Sequence, residues 1–100
     1  MRPLHIARLP DKVRPVVILT REAVRPHLNR VTVAPITTRV HGIASEAPVG
    51  VANGIDHDSV INCDNIMTIP VSALGRSIGF LHDSQEEELS QAIRAAFELP

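Results

Sequence analysis

The apolar residues of this chain recur at every second position, or in short β-branched runs, over the first two thirds. From Ser84 onward they fall on a helical period instead, and that one change of rhythm limits the fold to a small β structure with a single terminal helix. Leu4-His5-Ile6-Ala7-Arg8-Leu9 alternates as a half-buried strand does, until Pro10-Asp11 breaks it. Val16-Val17-Ile18-Leu19 and Val31-Thr32-Val33-Ala34-Pro35-Ile36 read as core strands, and Pro35 marks an edge, bulge or sharp bend. The polar stretch Arg21 to Arg30 is a loop. A second loop runs from about Arg39 to Asp58, punctuated by Gly42, Pro48, Gly50 and Gly54, with a weak strand near Glu46 to Val49. Ser59-Val60-Ile61-Asn62-Cys63 and Ile66-Met67-Thr68-Ile69 form one bulged strand or two short ones around Asp64-Asn65. Pro70 ends that stretch, and no regular element is read before Ser84.

Beyond Ser84, Leu89, Ala92, Ile93, Ala96 and Phe97 are spaced to share one helical face. Ser84 and Glu87 have the spacing of a capping box, and the acids of the first turn suit the positive end of the helix dipole. The expected fold is therefore mainly β with one helix (α+β), an antiparallel barrel or half-barrel closed by a C-terminal helix. One hundred residues suffice for one domain, 1–100, and with no tyrosine or tryptophan and only Phe80 and Phe97, aliphatic side chains must supply most of the core, with both phenylalanines expected there too.

A 44% hydrophobic and 21% charged composition excludes a disordered or collagen-like chain. No apolar run approaches the roughly 20 residues of a bilayer span, and the N-terminus lacks the apolar stretch of a signal peptide. With the single Cys63 precluding an internal disulfide, the reading is of a cytoplasmic protein without membrane contact. The net charge of −1 conceals a division. Residues 1–42 carry eight cations, seven of them arginine, against Asp11 and Glu22; residues 43–100 carry Arg76 and Arg94 against nine acids. Arginine's planar fork suits phosphate oxygens, so a localised basic face is one reading and an intermixed, solvated surface the other.

Several chemistries lack their residues. There is no glycine-rich phosphate loop, nucleophile elbow or paired-cysteine metal motif. Asp56-His57-Asp58 has metal-capable side chains but no evident third and fourth ligands, so no metal and no cofactor is expected. Cys63 sits in an apolar run and reads as a buried small hydrophobe. Arg14 immediately precedes a buried strand, and Thr37, Thr38 and Arg39 end the next. If those strands are antiparallel neighbours, Arg14 comes close to Thr37, and a guanidinium beside a hydroxyl makes an anion pocket.

At these residues the sequence resembles the MazF/PemK family of toxin endoribonucleases. The resemblance rests on RPVVILT at Arg14–Thr20, VAPITT at Val33–Thr38, GIDHDSVINCDNIMTI at Gly54–Ile69 and the ending from Ser72 to Leu99, four pieces in order covering about Leu4 to the end. It implies an SH3-like barrel of the CcdB/PemK type and a homodimer. It also implies ribosome-independent cleavage of single-stranded RNA at a short sequence, leaving 2′,3′-cyclic phosphate and 5′-hydroxyl ends. The implied partner besides RNA is an antitoxin with an acidic, disordered C-terminal tail. The resemblance assigns Arg14 and Thr37 as catalytic, and Thr20, Thr38, Arg39, Asp64 and Asn65 to RNA binding. His27 and His41 flank the site in sequence, but the family pattern supports neither. Two departures stand out: the connection before Arg14 is short, and Met67 and Ala73 occupy positions where relatives often carry basic residues. The alternatives are a toxin of the same fold that acts by binding, as a topoisomerase poison, and a non-catalytic peptide-binding domain.

Overall fold

Strand β3 (Arg30–Thr37) organises the sheet because both of its edges are used, one of them twice. The computed structural model describes residues 1–100. Along one edge β3 pairs with β2 (Val13–Ile18), with Val16 opposite Pro35 and Ile18 opposite Val33. Along the other, its first half pairs with β6 (Met67–Pro70) and its end with β5 (Ser59–Asn62). Pro35 falls between those two partners, where a residue without an N–H costs no ladder bond on that edge; the bend expected there is the corner at which the strand passes from one partner to the other. β1 (Arg2–Arg8) lies outside β2, and β4 (Glu46–Val49) outside β5. Every pairing is antiparallel, in the order β4-β5-β3-β2-β1-β7 with β6 beside β3, and the sheet curls into a half-barrel.

Strand β7 (Leu74–Leu81) is absent from the sequence reading. It pairs with β1 through a register that shifts twice, between Leu4 and His5 and between His5 and Ala7. Gly75, Arg76, Ser77 and Gly79 spoil its alternation, and the glycines are there for close approach. A Cβ on Gly79 would stand 2.0 Å from the Asn53 carbonyl oxygen, and one on Gly54 (φ +87) 1.9 Å from that of Ile78.

Both faces of the central strands are buried, as alternate residues of β2 show. Val17 joins Leu4, Ala34, Ile36, Ile61, Cys63 and Leu81 in a core closed by Leu89 and Ala92 of helix α1 (Asp83–Phe97). Val16 and Ile18 face the other way, onto Ala7, Leu9, Val31, Val33 and Ile69. No aromatic ring enters either core: Phe80, on the outermost strand, and Phe97, in the last helical residue, are 45% and 56% exposed. Burial along the helix fades after Ala92, so Phe97 does not share the buried face expected from its spacing.

The helix also starts two residues earlier than its Ser84–Glu87 spacing implies. His82 is the N-cap, its N–H donates to Gln85 Oε1 at 2.9 Å, and its ring reaches the Ala52 carbonyl at 2.8 Å. The reason lies in tertiary contact. Gln85 is shared with buried Asn53, whose Nδ2 donates to Gln85 Oε1 and to the Phe80 carbonyl, and whose Oδ1 accepts from Gly50 N–H and Gln85 Nε2. No helix is long and apolar enough to cross a membrane.

Candidate active site

The β1–β2 connection is four residues, closed by a Leu9 N–H to Lys12 carbonyl bond of 3.0 Å. This tight turn delivers Asp11 to Arg14: Nη2 meets the carboxylate at 2.9 Å, with the Arg14 side chain 19% exposed and that of Asp11 62%. Arg14 Nε is buried and donates to no protein atom, a state it shares with Arg25 Nε. A guanidinium is suited to anions by its charge and its planar fork. Pro15 follows Arg14 and keeps its backbone extended, so the side chain leaves the strand at a fixed angle.

Arg14 forms one wall of a cleft of about 440 Å³. Across it stand Asp64 and Asn65 from the 3-10 turn Cys63–Asn65 between β5 and β6, while Pro35, Ile66 and Met67 give it an apolar side. Asp64 is held in place: Ser45 Oγ donates to its Oδ2 at 2.5 Å, and its N–H donates to Asn62 Oδ1 at 3.0 Å. Met67 therefore contributes surface where a cation would have contributed charge, and Ala73 packs against the second core, outside the cleft.

Thr37 is the last residue of β3. The β2–β3 pairing ends at Val16–Pro35, two residues short of Thr37, which pairs instead with Val60 of β5; by strand alternation Thr37 shares its side of β3 with Val33 and Pro35. Thr37 does not itself line the cleft; the β3 residue that does is Pro35, two positions earlier. Thr37 Oγ1 accepts the Arg39 N–H at 3.1 Å, which leaves the hydroxyl proton free to donate.

The other expected RNA contacts divide. Asp64 and Asn65 are in the cleft with Arg14, and the exposed Arg39 is tied to Thr37 through its backbone. Thr38 has the opposite parity to Thr37 and lines a different hollow with Pro15, Ile55, Asp56 and His57. Thr20 lies two residues beyond the far end of β2 from Arg14, where its Oγ1 accepts the Thr32 N–H at 2.8 Å. Neither threonine is brought to the cleft. His27 belongs to a 3-10 turn before β3 begins, a strand's length from Thr37, and His41 engages through its N–H. Asp11 is the residue that sequence reasoning passed over, taken only as a strand breaker; its signal was the three-residue spacing to Arg14 across a turn.

Cys63 is fully buried, and burial first, then the negative charge of Asp64, pushes its thiol up to about 11. It is a packing residue and no nucleophile. No set of three or more His, Cys, Asp or Glu side chains stands together, Asp56 to Asp58 included. Few charges of the two halves pair with one another. The ion pairs are Arg14–Asp11, local to one turn, and Arg2–Glu86, which alone joins the basic and acidic parts of the chain. Arg8 and Arg30 donate to the backbone carbonyls of Ser72 and Thr68.

Comparison with known proteins places these features. The family model described as PemK-like, MazF-like toxin of type II toxin-antitoxin system matches residues 3–97. The chain is 63% identical over 99 residues to Endoribonuclease MazF3 of Mycobacterium tuberculosis, covering 99% of this chain and 95% of the relative. It is 36% identical over 94 residues to Probable endoribonuclease MazF2 of the same organism, covering 93% and 92%. Among solved structures, Mycobacterium tuberculosis toxin MazF-mt6 superposes with a TM-score of 0.96 at 62% identity over 99% of both chains. A mycobacterial endoribonuclease in complex with its cognate antitoxin shares the fold, with a TM-score of 0.87 at 23% identity over 98% of this chain and 93% of that one. From its strand order to its C-terminal helix, this chain belongs to the PemK-like, MazF-like toxins of type II toxin–antitoxin systems.

Proposed function

We propose that the protein is the endoribonuclease toxin of its system and cleaves single-stranded RNA with the substrate's own 2′-hydroxyl as nucleophile. The observation that carries this reading is the Arg14 guanidinium, backed by Asp11, lining a cleft together with Asp64 and Asn65. Arginine stays protonated, so its role is to hold the negative charge that grows on the pentacoordinate phosphorus. The Thr37 hydroxyl is the second donor to the same phosphoryl oxygens. The Asp11 carboxylate, already on Arg14, is placed to take the 2′-hydroxyl proton as the oxygen attacks phosphorus. The P–O5′ bond breaks, the leaving oxygen takes a proton from water in the open cleft, and the products are a 2′,3′-cyclic phosphate and a 5′-hydroxyl. In-line placement of the 2′-oxygen supplies much of the acceleration. Asp64 and Asn65 together offer acceptors and a donor to base edges.

The same reading gives the chain its partners and setting. It works as a homodimer in the cytoplasm and is restrained by an antitoxin whose acidic tail is drawn to arginines that the fold leaves without carboxylate partners. Incubation with a long defined RNA in EDTA, followed by mapping of new ends, tests it. Discrete cuts bearing 5′-hydroxyls, lost in Arg14→Ala, are expected; 5′-phosphate ends, or undiminished cutting by Arg14→Ala, would overturn it.

A further inference from the structure

The segment between Thr37 and β4 is hydrogen-bonded at one end to Thr37 and at the other to Asp64 of the cleft, and it is shaped by one side chain. The Glu46 carboxylate accepts three consecutive backbone N–H groups, from His41 at 3.1 Å, Gly42 at 2.9 Å and Ile43 at 3.4 Å to Oε1, with a further 3.2 Å bond from His41 to Oε2. Successive N–H groups converge on one anion only where the backbone alternates in handedness, and Gly42 supplies this with φ +69. A backbone bond from Glu46 N–H to the Ile43 carbonyl at 3.1 Å closes the turn. At one end of this segment the Arg39 N–H binds Thr37 Oγ1. At the other, Ser45 is 7% exposed, its carbonyl accepts the Cys63 N–H at 3.1 Å, and its Oγ holds the Asp64 carboxylate.

We propose that Glu46 is a positioning residue for the reaction: by folding residues 41–43 around its carboxylate it makes the loop a splint that fixes Thr37, at the end of β3, relative to Asp64 in the cleft. The proposal rests on the ribonuclease reading given above. Glu46 does not touch substrate; it acts through Arg39 on the hydroxyl that faces the phosphate and through Ser45 on the carboxylate that faces a base. Nearly all the acceptance falls on Oε1, so a glutamine, which keeps one acceptor oxygen there, preserves the nest, whereas alanine leaves three N–H groups to solvent. A displacement of about 1 Å at a reacting group costs about 100-fold.

The test measures kcat, KM and the spectrum of cut sites for wild type, Glu46→Ala, Glu46→Gln and Ser45→Ala on one long RNA, alongside amide hydrogen exchange at residues 41–43 and thermal unfolding. For Glu46→Ala we expect kcat to fall at least tenfold, with KM within about threefold, faster exchange at 41–43 and a cooperative transition retained. Glu46→Gln is expected to stay within about threefold of wild type. Ser45→Ala is expected to keep most of kcat while cutting at additional sequences. Rates within twofold of wild type for Glu46→Ala would overturn the proposal, as would a glutamine variant as impaired as the alanine one. Should wild type not cleave RNA at all, the ribonuclease reading fails by itself, and unchanged exchange at 41–43 in Glu46→Ala would separately remove the splint.

Discussion

Replacing Asn53 by alanine should be among the most damaging polar substitutions in this fold, and its cost can be worked from four hydrogen bonds. Asn53 is 1% exposed and links three pieces of chain: Gly50 ahead of β5, Phe80 in β7 and Gln85 in the first turn of α1. Without its amide, Gln85 keeps the His82 N–H at 2.9 Å, but the Gly50 N–H and the Phe80 carbonyl lose the partners that Asn53 gave them. Both groups are part-buried, so at about 1–2 kcal/mol for each, the lower part of the range for orphaned groups, the loss is about 2–4 kcal/mol. For a chain of this length 1 kcal/mol corresponds to about 4–8 °C in Tm, so Asn53→Ala should melt at least about 8 °C below wild type. Thermal unfolding followed by far-ultraviolet circular dichroism at pH 7 reads this directly, with urea unfolding as a check on cooperativity. A fall of less than about 3 °C would mean that the clamp between the 50–54 turn, β7 and α1 is not what holds these elements together.

Gly54→Ala should cost more than about 3 kcal/mol, because the new Cβ meets the Ile78 carbonyl at 1.9 Å on backbone with φ +87; a soluble variant with wild-type Tm would contradict that packing. The Cys63 thiol, raised from 9.0 to about 11, imposes a pH dependence. Between pH 9 and 11 the unfolded chain releases this proton and the folded chain retains it, so stability falls as pH rises through that window, by about 2–3 kcal/mol once above it. Urea midpoints at pH 8 and 10.5, compared with those of Cys63→Ala, should differ in slope; parallel changes would remove the claim. Asp11→Asn should lower kcat at least tenfold while Tm changes by only a few degrees, since the Arg14–Asp11 pair is local and its carboxylate exposed; wild-type kcat would remove Asp11 from proton transfer.

Most of the sheet was legible because β1, β2, β3, β5 and β6 carry apolar alternation or β-branched runs that mean the same thing in any context. What escaped depends on contacts far apart in sequence. Strand β7 looks irregular because Gly79 is small for the sake of the Asn53 carbonyl, 26 positions earlier. The helix begins at Asp83 and not after Ser84 because Gln85 is engaged by Asn53, and a local capping pattern carries no information about that. That β2 and β3 are antiparallel neighbours was readable from the sequence, and the approach of Arg14 to Thr37 is the expectation drawn from it. Strand parity separates Thr38 from Thr37, and strand length separates Thr20 from both. Asp11 was hidden by its place in a turn: proline and aspartate there explain the chain reversal so well that a second role leaves no further trace in the sequence. Ser45 and Glu46 left none either, since their roles come from backbone groups they gather.

The most direct measurement of the proposed chemistry uses an RNA in which only the nucleotide on the 5′ side of a mapped cut carries 2′-deoxyribose. The account predicts that wild-type protein binds this substrate as tightly as the all-ribose one, leaves that bond intact and still cuts at any other cognate site in the same molecule. Cleavage at the deoxy position at an unchanged rate would mean that an external nucleophile attacks the phosphorus, and the roles given to Arg14, Thr37 and Asp11 would have to be abandoned.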